Sequence, residues 1–203
     1  MNQNDAAQRL LQEVTYRALG RFVMVFSGVL YSLEQATIYM IGLQHKKLIH
    51  AALQDRTGGG IVASFFSVFY AKWEGSITKD DGTILKALRQ ELDALVRERN
   101  RIMHDAWMVS GRQSGSPAKP AARLRVRAHG SGVEHVLTHH TPEQIEDLAE
   151  TSERLSENIN GTTWYMRPGQ VGPEIAPRFE IRNKKVYRRD APSSLEREIG
   201  TDS

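Results

Sequence analysis

Cysteine is absent from all 203 residues, which excludes a disulfide framework and thiolate metal sites and fits a cytoplasmic location. Nucleotide-binding signatures are absent too: Arg56-Thr57-Gly58-Gly59-Gly60 lacks the Gly-Lys-Ser/Thr ending of a phosphate-binding loop. There are no internal repeats. The opening MNQNDAAQRLLQE has neither the basic start nor the short apolar core of a secretory signal, so it is expected to stay in the mature chain. Neither sign of charge dominates: 27 Lys and Arg against 24 Asp and Glu leave +3. With a pI near 9.2, a polyanionic partner is permitted but not required.

What is present, 40% hydrophobic and 25% charged residues, is ordinary for a globular domain, and the length suits one domain with a tail. Asp5 is placed to cap a helix through Leu19, Gly20 to mark a break, and Phe22, Val25, Phe26, Val29, Leu33, Ala36, Met40 and Leu43 to continue a helical stripe. FVMVFSGVLYSLEQATIYMIGL has the length of a membrane span. Glu34 and Gln35 at its centre argue for a buried core helix and no membrane partner, because a central charge costs a few kcal/mol on insertion scales.

His45, Lys46, Lys47 and His50 form a basic cluster at the end of that helix, where the macrodipole favours cations. Arg56 to Gly60 reads as a flexible connection, and Phe65, Phe66, Phe69, Tyr70 and Trp73 as a core-facing helix. Lys79 to Gly82 reads as a turn before a helix capped by Thr83.

The helix from Thr83 to Val109 organises the rest. Leu85, Leu88, Leu92, Leu95, Ile102, Ala106 and Val109 alternate in steps of three and four only if Arg99 is counted among them, which puts a guanidinium in an apolar stripe. Asn100 and His104 lie about 40° apart on one flank of the helix. Such an arginine needs a partner or a wet interface. One reading is an internal ion pair, with Glu34 the obvious carboxylate and His104 a cation near the helix C-terminus.

Arg99-Asn100-Arg101-Ile102-Met103-His104 also resembles the signature of the HEPN superfamily, an Arg, a polar residue, three further positions and a His late on one helix. The flanking ALVRERNRIMHDAW is similar as well; the likeness covers about residues 85–108. It implies an all-α fold, a helical bundle of about four to five helices. It also implies a homodimer acting as a metal-independent endoribonuclease, with no cofactor, in toxin–antitoxin, phage-defence or RNA-processing systems.

Beyond Val109 the Ser-, Gly- and Pro-rich SGRQSGSPAKPAA should be a mobile loop. Arg123 to Ala128 alternates strictly and Val133 to His139 can return, giving a small β-hairpin at about 122–139 between the last two helices. Its arginines share a face that can hold phosphates, stay solvated, or pair with the acidic helix that follows. His129, His135, His139 and His140 lack carboxylates at ligand spacing, and no metal site is expected.

Thr141-Pro142-Glu143-Gln144 is a capping-box start for a helix to about Asn158, acidic on its outer face. These elements would form one HEPN-like domain, residues 1–160. Residues 161–203, interrupted by Pro168, Pro173, Pro177 and Pro192, read as an extended, partly disordered basic arm. There Arg182, Lys184, Lys185, Arg188 and Arg189, with Phe179 and Tyr187 interleaved, are candidate RNA contacts, a strap for a second subunit, or a solvated tail.

RNA cleavage by its own 2′-hydroxyl needs a base, an acid and positive charge on the phosphate. Histidine serves both proton steps and arginine offers forked donors. A two-fold dimer would bring two copies of Arg99 and His104 to one cleft, with Asn100 orienting the histidine or the phosphate. The partners then expected are RNA, a second copy of the chain and a cognate antitoxin or regulatory protein. Two alternatives stay open: a non-catalytic HEPN-like RNA- or protein-binding dimerisation module, and an unrelated helical interaction protein.

Overall fold

The computed structural model describes residues 3–108, 121–129, 132–164, 173 and 175–189. These residues are mostly helical, in agreement with the all-α class. There are five α-helices, α1 (Gln3–Ile41), α2 (Lys46–Leu53), α3 (Gly58–Lys72), α4 (Lys79–His104) and α5 (Pro142–Trp164), and a 3-10 turn at Leu43–His45. Two small antiparallel sheets accompany them. One is ordered β1 (Ala106–Met108), β2 (Ala121–His129), β3 (Gly132–His140); the other pairs β4 (Phe179–Arg182) with β5 (Lys185–Arg188). The chain divides into two compact units, Met1–Val29 with Ala94–Glu153, and Leu30–Asp93 with Arg154–Ser203, so α1, α4 and α5 each contribute to both.

The first unit takes the start of α1, the end of α4, the three-stranded sheet and the start of α5. Ala18, Phe22, Phe26 and Val29 are buried from α1, Leu95 and Ile102 from α4, Ile145 and Ala149 from α5. Each large apolar side chain so removed from water stabilises by about 1.5–3 kcal/mol. Arg21 on α1 meets the acidic flank of α5, pairing with Glu146 and, at 2.9 Å, with Glu153. That flank is therefore not wholly solvated.

Gly20 does not break α1. The buried series Ala18, Phe22, Phe26, Val29, Leu33 passes it without a change of phase, and this burial outweighs the roughly 1 kcal/mol that glycine costs a helix interior. By length and composition Ala6–Ile41 could cross a bilayer, as core helices of soluble folds also can, and the same buried series marks its inward face.

In the second unit α1 ends at Ile41, just before Gly42, whose φ of 122° only glycine adopts readily, and whose amide closes the last turn on Ile38 O at 2.8 Å. Lys46 and Lys47 accordingly fall in the first turn of α2 and not, as expected, at a helix C-terminus. Gly58 to Gly60 are likewise helix and not a flexible connection. The Thr57 hydroxyl accepts from Gly60 N at 3.2 Å and caps α3, whose Phe65, Phe66 and Phe69 are fully buried.

The start of α4 also differs from expectation. Thr78, not Thr83, is the cap: Asp81 N donates to Thr78 Oγ1 at 3.1 Å, while Thr78 N (3.1 Å) and Oγ1 (2.7 Å) donate to Asp81 Oδ2. Thr83 lies within the helix, its hydroxyl bonded to Lys79 O at 3.0 Å. Asp81 is buried, and its other oxygen accepts from Ile175 N (3.0 Å) and Ala176 N (2.7 Å). Burial pushes the Asp81 carboxyl up, but the amides of Ala176, Thr78 and Ile175 and the Thr78 hydroxyl hold it below the ordinary range.

At its other end α4 stops at His104, short of the Val109 that periodicity suggested. Trp107 Nε1 donates to the terminal carbonyl of Ile102 at 2.7 Å, and Ala106–Met108 pairs with Ala122–Leu124 as β1. The expected hairpin is present in register, Ala121 opposite His140 through His129 opposite Gly132. The loop expected at 110–122 falls mostly at positions 109–120, which lie outside the described residues.

Thr141 and Gln144 form the predicted capping box at 3.0 and 3.3 Å. The helix they start runs on to Trp164, with Asn158, Ile159 and Thr162 buried. Part of the region expected to be an extended arm is therefore helix, and Phe179–Arg188 is a hairpin. Its cause is a two-residue turn, Asn183 and Lys184, at φ of 50° and 63°. A Cβ on Gly161 would lie 3.3 Å from the buried Phe179 ring, so glycine permits this close approach of hairpin to helix.

Candidate functional site

The signature residues occupy the last two turns of α4, in the first unit. Arg99 is half-buried in the apolar stripe, between buried Leu95 and Ile102. Its guanidinium carbon lies 5.7 Å from the centre of the Phe26 ring of α1, and its Nη1 donates to Asn100 Oδ1 at 3.2 Å. No carboxylate pairs with Arg99 among the described residues. The proposed partner, Glu34, belongs to His50 of α2, whose Nδ1 lies against its Oε1. The turn at Gly42 makes this local pairing possible. Asn100 and His104, one helical turn apart, are both exposed, and His104 has no hydrogen-bond partner among the described residues.

The neighbouring charges behave differently. Glu98 accepts from Arg101 Nη1 at 3.0 Å and from Arg123 Nη1 at 2.8 Å; Arg123 Nε stands 3.3 Å from Asp105 Oδ2. Arg123 is buried, so this hairpin arginine is neither solvated nor aimed at the acidic helix, as the sequence allowed; it locks β2 onto the end of α4. Burial pushes the Glu98 carboxyl up, but the two arginines more than offset it and hold it below its ordinary range. Periodicity alone did not reveal this network, because an alternating strand does not say which face turns inward. The available signal was the pair of carboxylates, Glu98 and Asp105, flanking the signature.

Trp107 and His140 close this end of the helix, ring centres 5.6 Å apart. Burial, then the nearby Arg123 charge, pushes the His140 pKa down, favouring the neutral ring. Its Nε2 is buried without a hydrogen-bond partner among the described residues.

The basic run lies in the second unit, on the β4–β5 hairpin. Arg182, Lys184, Lys185, Arg188 and Arg189 are all exposed, though Arg182 pairs with Glu180 and Arg189 Nε donates to Phe179 O at 3.2 Å. The hairpin is fixed from beneath: Val186 N donates to Glu91 Oε1 at 2.6 Å, and Val186 O accepts from Asn158 Nδ2 at 2.9 Å and Arg154 Nη1 at 2.5 Å. Lys184 holds a positive φ where glycine would cost less, by about 1 kcal/mol. The cations thus stand on an ordered ribbon.

No protein-family model, curated protein or solved structure matches the chain.

Proposed function

We propose that the chain is a metal-independent endoribonuclease of the HEPN type, a cytoplasmic toxin or phage-defence effector that cleaves RNA at a composite site between two copies. The observation that carries this reading is the contrast around Arg99. Glu98, Arg101, Asp105 and Arg123 are consumed in one ion-pair network, while Arg99, Asn100 and His104 leave a guanidinium, an amide and an imidazole uncommitted to any carboxylate among the described residues. In the reaction, His104 of one copy takes the 2′-hydroxyl proton as the 2′-oxygen attacks phosphorus. The bond to the 5′-oxygen breaks, and His104 of the other copy protonates that oxygen. A 2′,3′-cyclic phosphate and a 5′-hydroxyl result. Arg99 stabilises the phosphoryl oxygens and Asn100 orients the phosphate or the imidazole. Arg182, Lys184, Lys185, Arg188 and Arg189 would hold the RNA backbone, each contact strengthening binding in a salt-dependent way.

One observation favours a second reading, a non-catalytic RNA- or protein-binding dimerisation module of the same type: the Phe26 ring already gives the Arg99 guanidinium a structural partner. Incubation of the protein with total RNA in EDTA, beside Arg99→Ala and His104→Ala, separates the two. Cleavage by the wild type that leaves 2′,3′-cyclic ends, falling by about a hundredfold or more in either variant, is expected. Full activity of His104→Ala would overturn the nuclease reading.

A further inference from the structure

The turn between α1 and α2, in the second unit, combines two features that neither folding nor cleavage of RNA uses. Four large apolar side chains are exposed within ten residues: Tyr39 50%, Ile41 42%, Leu43 61% and Leu48 70%. Between Gln35 and Gln54 there is no Asp or Glu at all, while His45, Lys46 and Lys47 are all exposed. Lys72 of α3 adds a further cation, its Nζ donating to Met40 O at 2.7 Å. Of the two flanking acids, Glu34 is occupied by His50 and Asp55 is exposed beyond the end of α2.

The arrangement is locally costly. Lys46 and Lys47 occupy the first turn of α2, where the macrodipole disfavours cations, and that turn has neither an acid nor a side-chain cap. Yet it is held in place. Gly42 fixes the reversal, Ile38, Ile49 and Leu53 form a small buried cluster, and the His50–Glu34 contact ties α2 to α1.

We propose that this turn docks on the surface of an anionic lipid bilayer, Leu43, Leu48 and Ile41 entering the interface while Lys46 and Lys47 meet lipid headgroups. Charge complementarity selects an anionic partner. The aliphatic side chains select an apolar one, since leucine and isoleucine gain little against the phosphates or base edges of RNA. A membrane surface supplies both together, and lysine is at home at its boundary. The contact is peripheral and needs no spanning helix. It departs from the expectation of no membrane partner drawn from the sequence, and it stands independently of any ribonuclease activity.

The test is sedimentation of the full chain with vesicles of phosphatidylcholine alone and of phosphatidylcholine with 30 mol% phosphatidylserine, roughly a physiological anionic content. Wild type should bind the anionic vesicles at least about tenfold better than the neutral ones, and less as salt rises. Leu43→Glu with Leu48→Glu, and separately Lys46→Glu with Lys47→Glu, should each lower that binding about tenfold or more while the far-ultraviolet circular dichroism stays unchanged. All four positions are exposed, so both variants are expected to fold. No preference for anionic vesicles, or binding that both double variants retain, overturns the proposal; the first result would leave an acidic protein as the partner, and the second would assign the binding to the β4–β5 cations.

Discussion

The two ends of α4 carry similar polar residues put to opposite use. At the start, Asp81 is buried and every acceptor direction is occupied: the Thr78 amide and hydroxyl on one oxygen, the Ile175 and Ala176 amides on the other. At the finish, Asn100 and His104 face solvent, and Arg99 rests on an aromatic ring with one amide for a partner. The comparison teaches that charge in a helix is informative through what satisfies it. A satisfied buried carboxylate organises chain, whereas a group left without a counter-charge beside a paired network is available for a ligand.

The sharpest way to break this contrast is to delete one group at each end and measure stability. Asp81→Ala leaves the Thr78 cap without its reciprocal carboxylate and strands the buried amides of Ile175 and Ala176, so urea denaturation should show a loss of about 2–4 kcal/mol. His104→Ala, at an exposed position with no hydrogen-bond partner among the described residues, should stay within about 0.5 kcal/mol of wild type. If both cost several kcal/mol, His104 is structural and the comparison fails.

Acid separates the ends less strongly but more finely. Asp81 and Glu98 have folded-state pKa values below their unfolded ones, so their contribution to stability is present above about pH 4 and is lost as pH falls through the carboxylate range. His140 is also depressed, and because the fold prefers its neutral ring, protonation of the unfolded chain begins to erode stability as pH falls below about 6.5. Urea midpoints measured against pH should therefore decline in two stages. His140→Gln should flatten the upper stage and Glu98→Gln shrink the lower one. A single stage near pH 4 that His140→Gln leaves unaltered would remove His140 from this account.

Which of these features the sequence made legible follows from how local their causes are. The apolar stripes of α1, α3 and α4, the Thr141–Gln144 box and the β2–β3 hairpin each depend on residues within one or two turns of each other, and each was readable. So was the interruption of the α4 stripe at Arg99. The inward turn of Arg123, the capture of Glu34 by His50 and the anchoring of β4–β5 on Glu91 and Arg154 depend on partners 16 to 95 residues away, and periodicity does not report such pairings. Thr83 and Thr78 show the local version of the same limit. Both are plausible caps, and the choice fell to Thr78 because Asp81 stands three residues after it and itself collects two amides from a remote segment.

Gly20 gives the smallest effect and the most direct check on α1. As a helix terminator it would be expected to hold a left-handed φ or a close approach; here it is an exposed helical residue, and a Cβ built on it meets nothing within 4 Å. Gly20→Ala should then raise stability by roughly 0.5–1 kcal/mol, through helix propensity and a less flexible unfolded chain. Gly42→Ala supplies the opposite sign, because its φ of 122° penalises any side chain, even though the nearby end of Gln44 can move aside. If Gly20→Ala destabilises as Gly42→Ala does, α1 is two helices after all, and the stripe that carries Phe22 and Phe26 past Gly20 to meet Arg99 is not continuous.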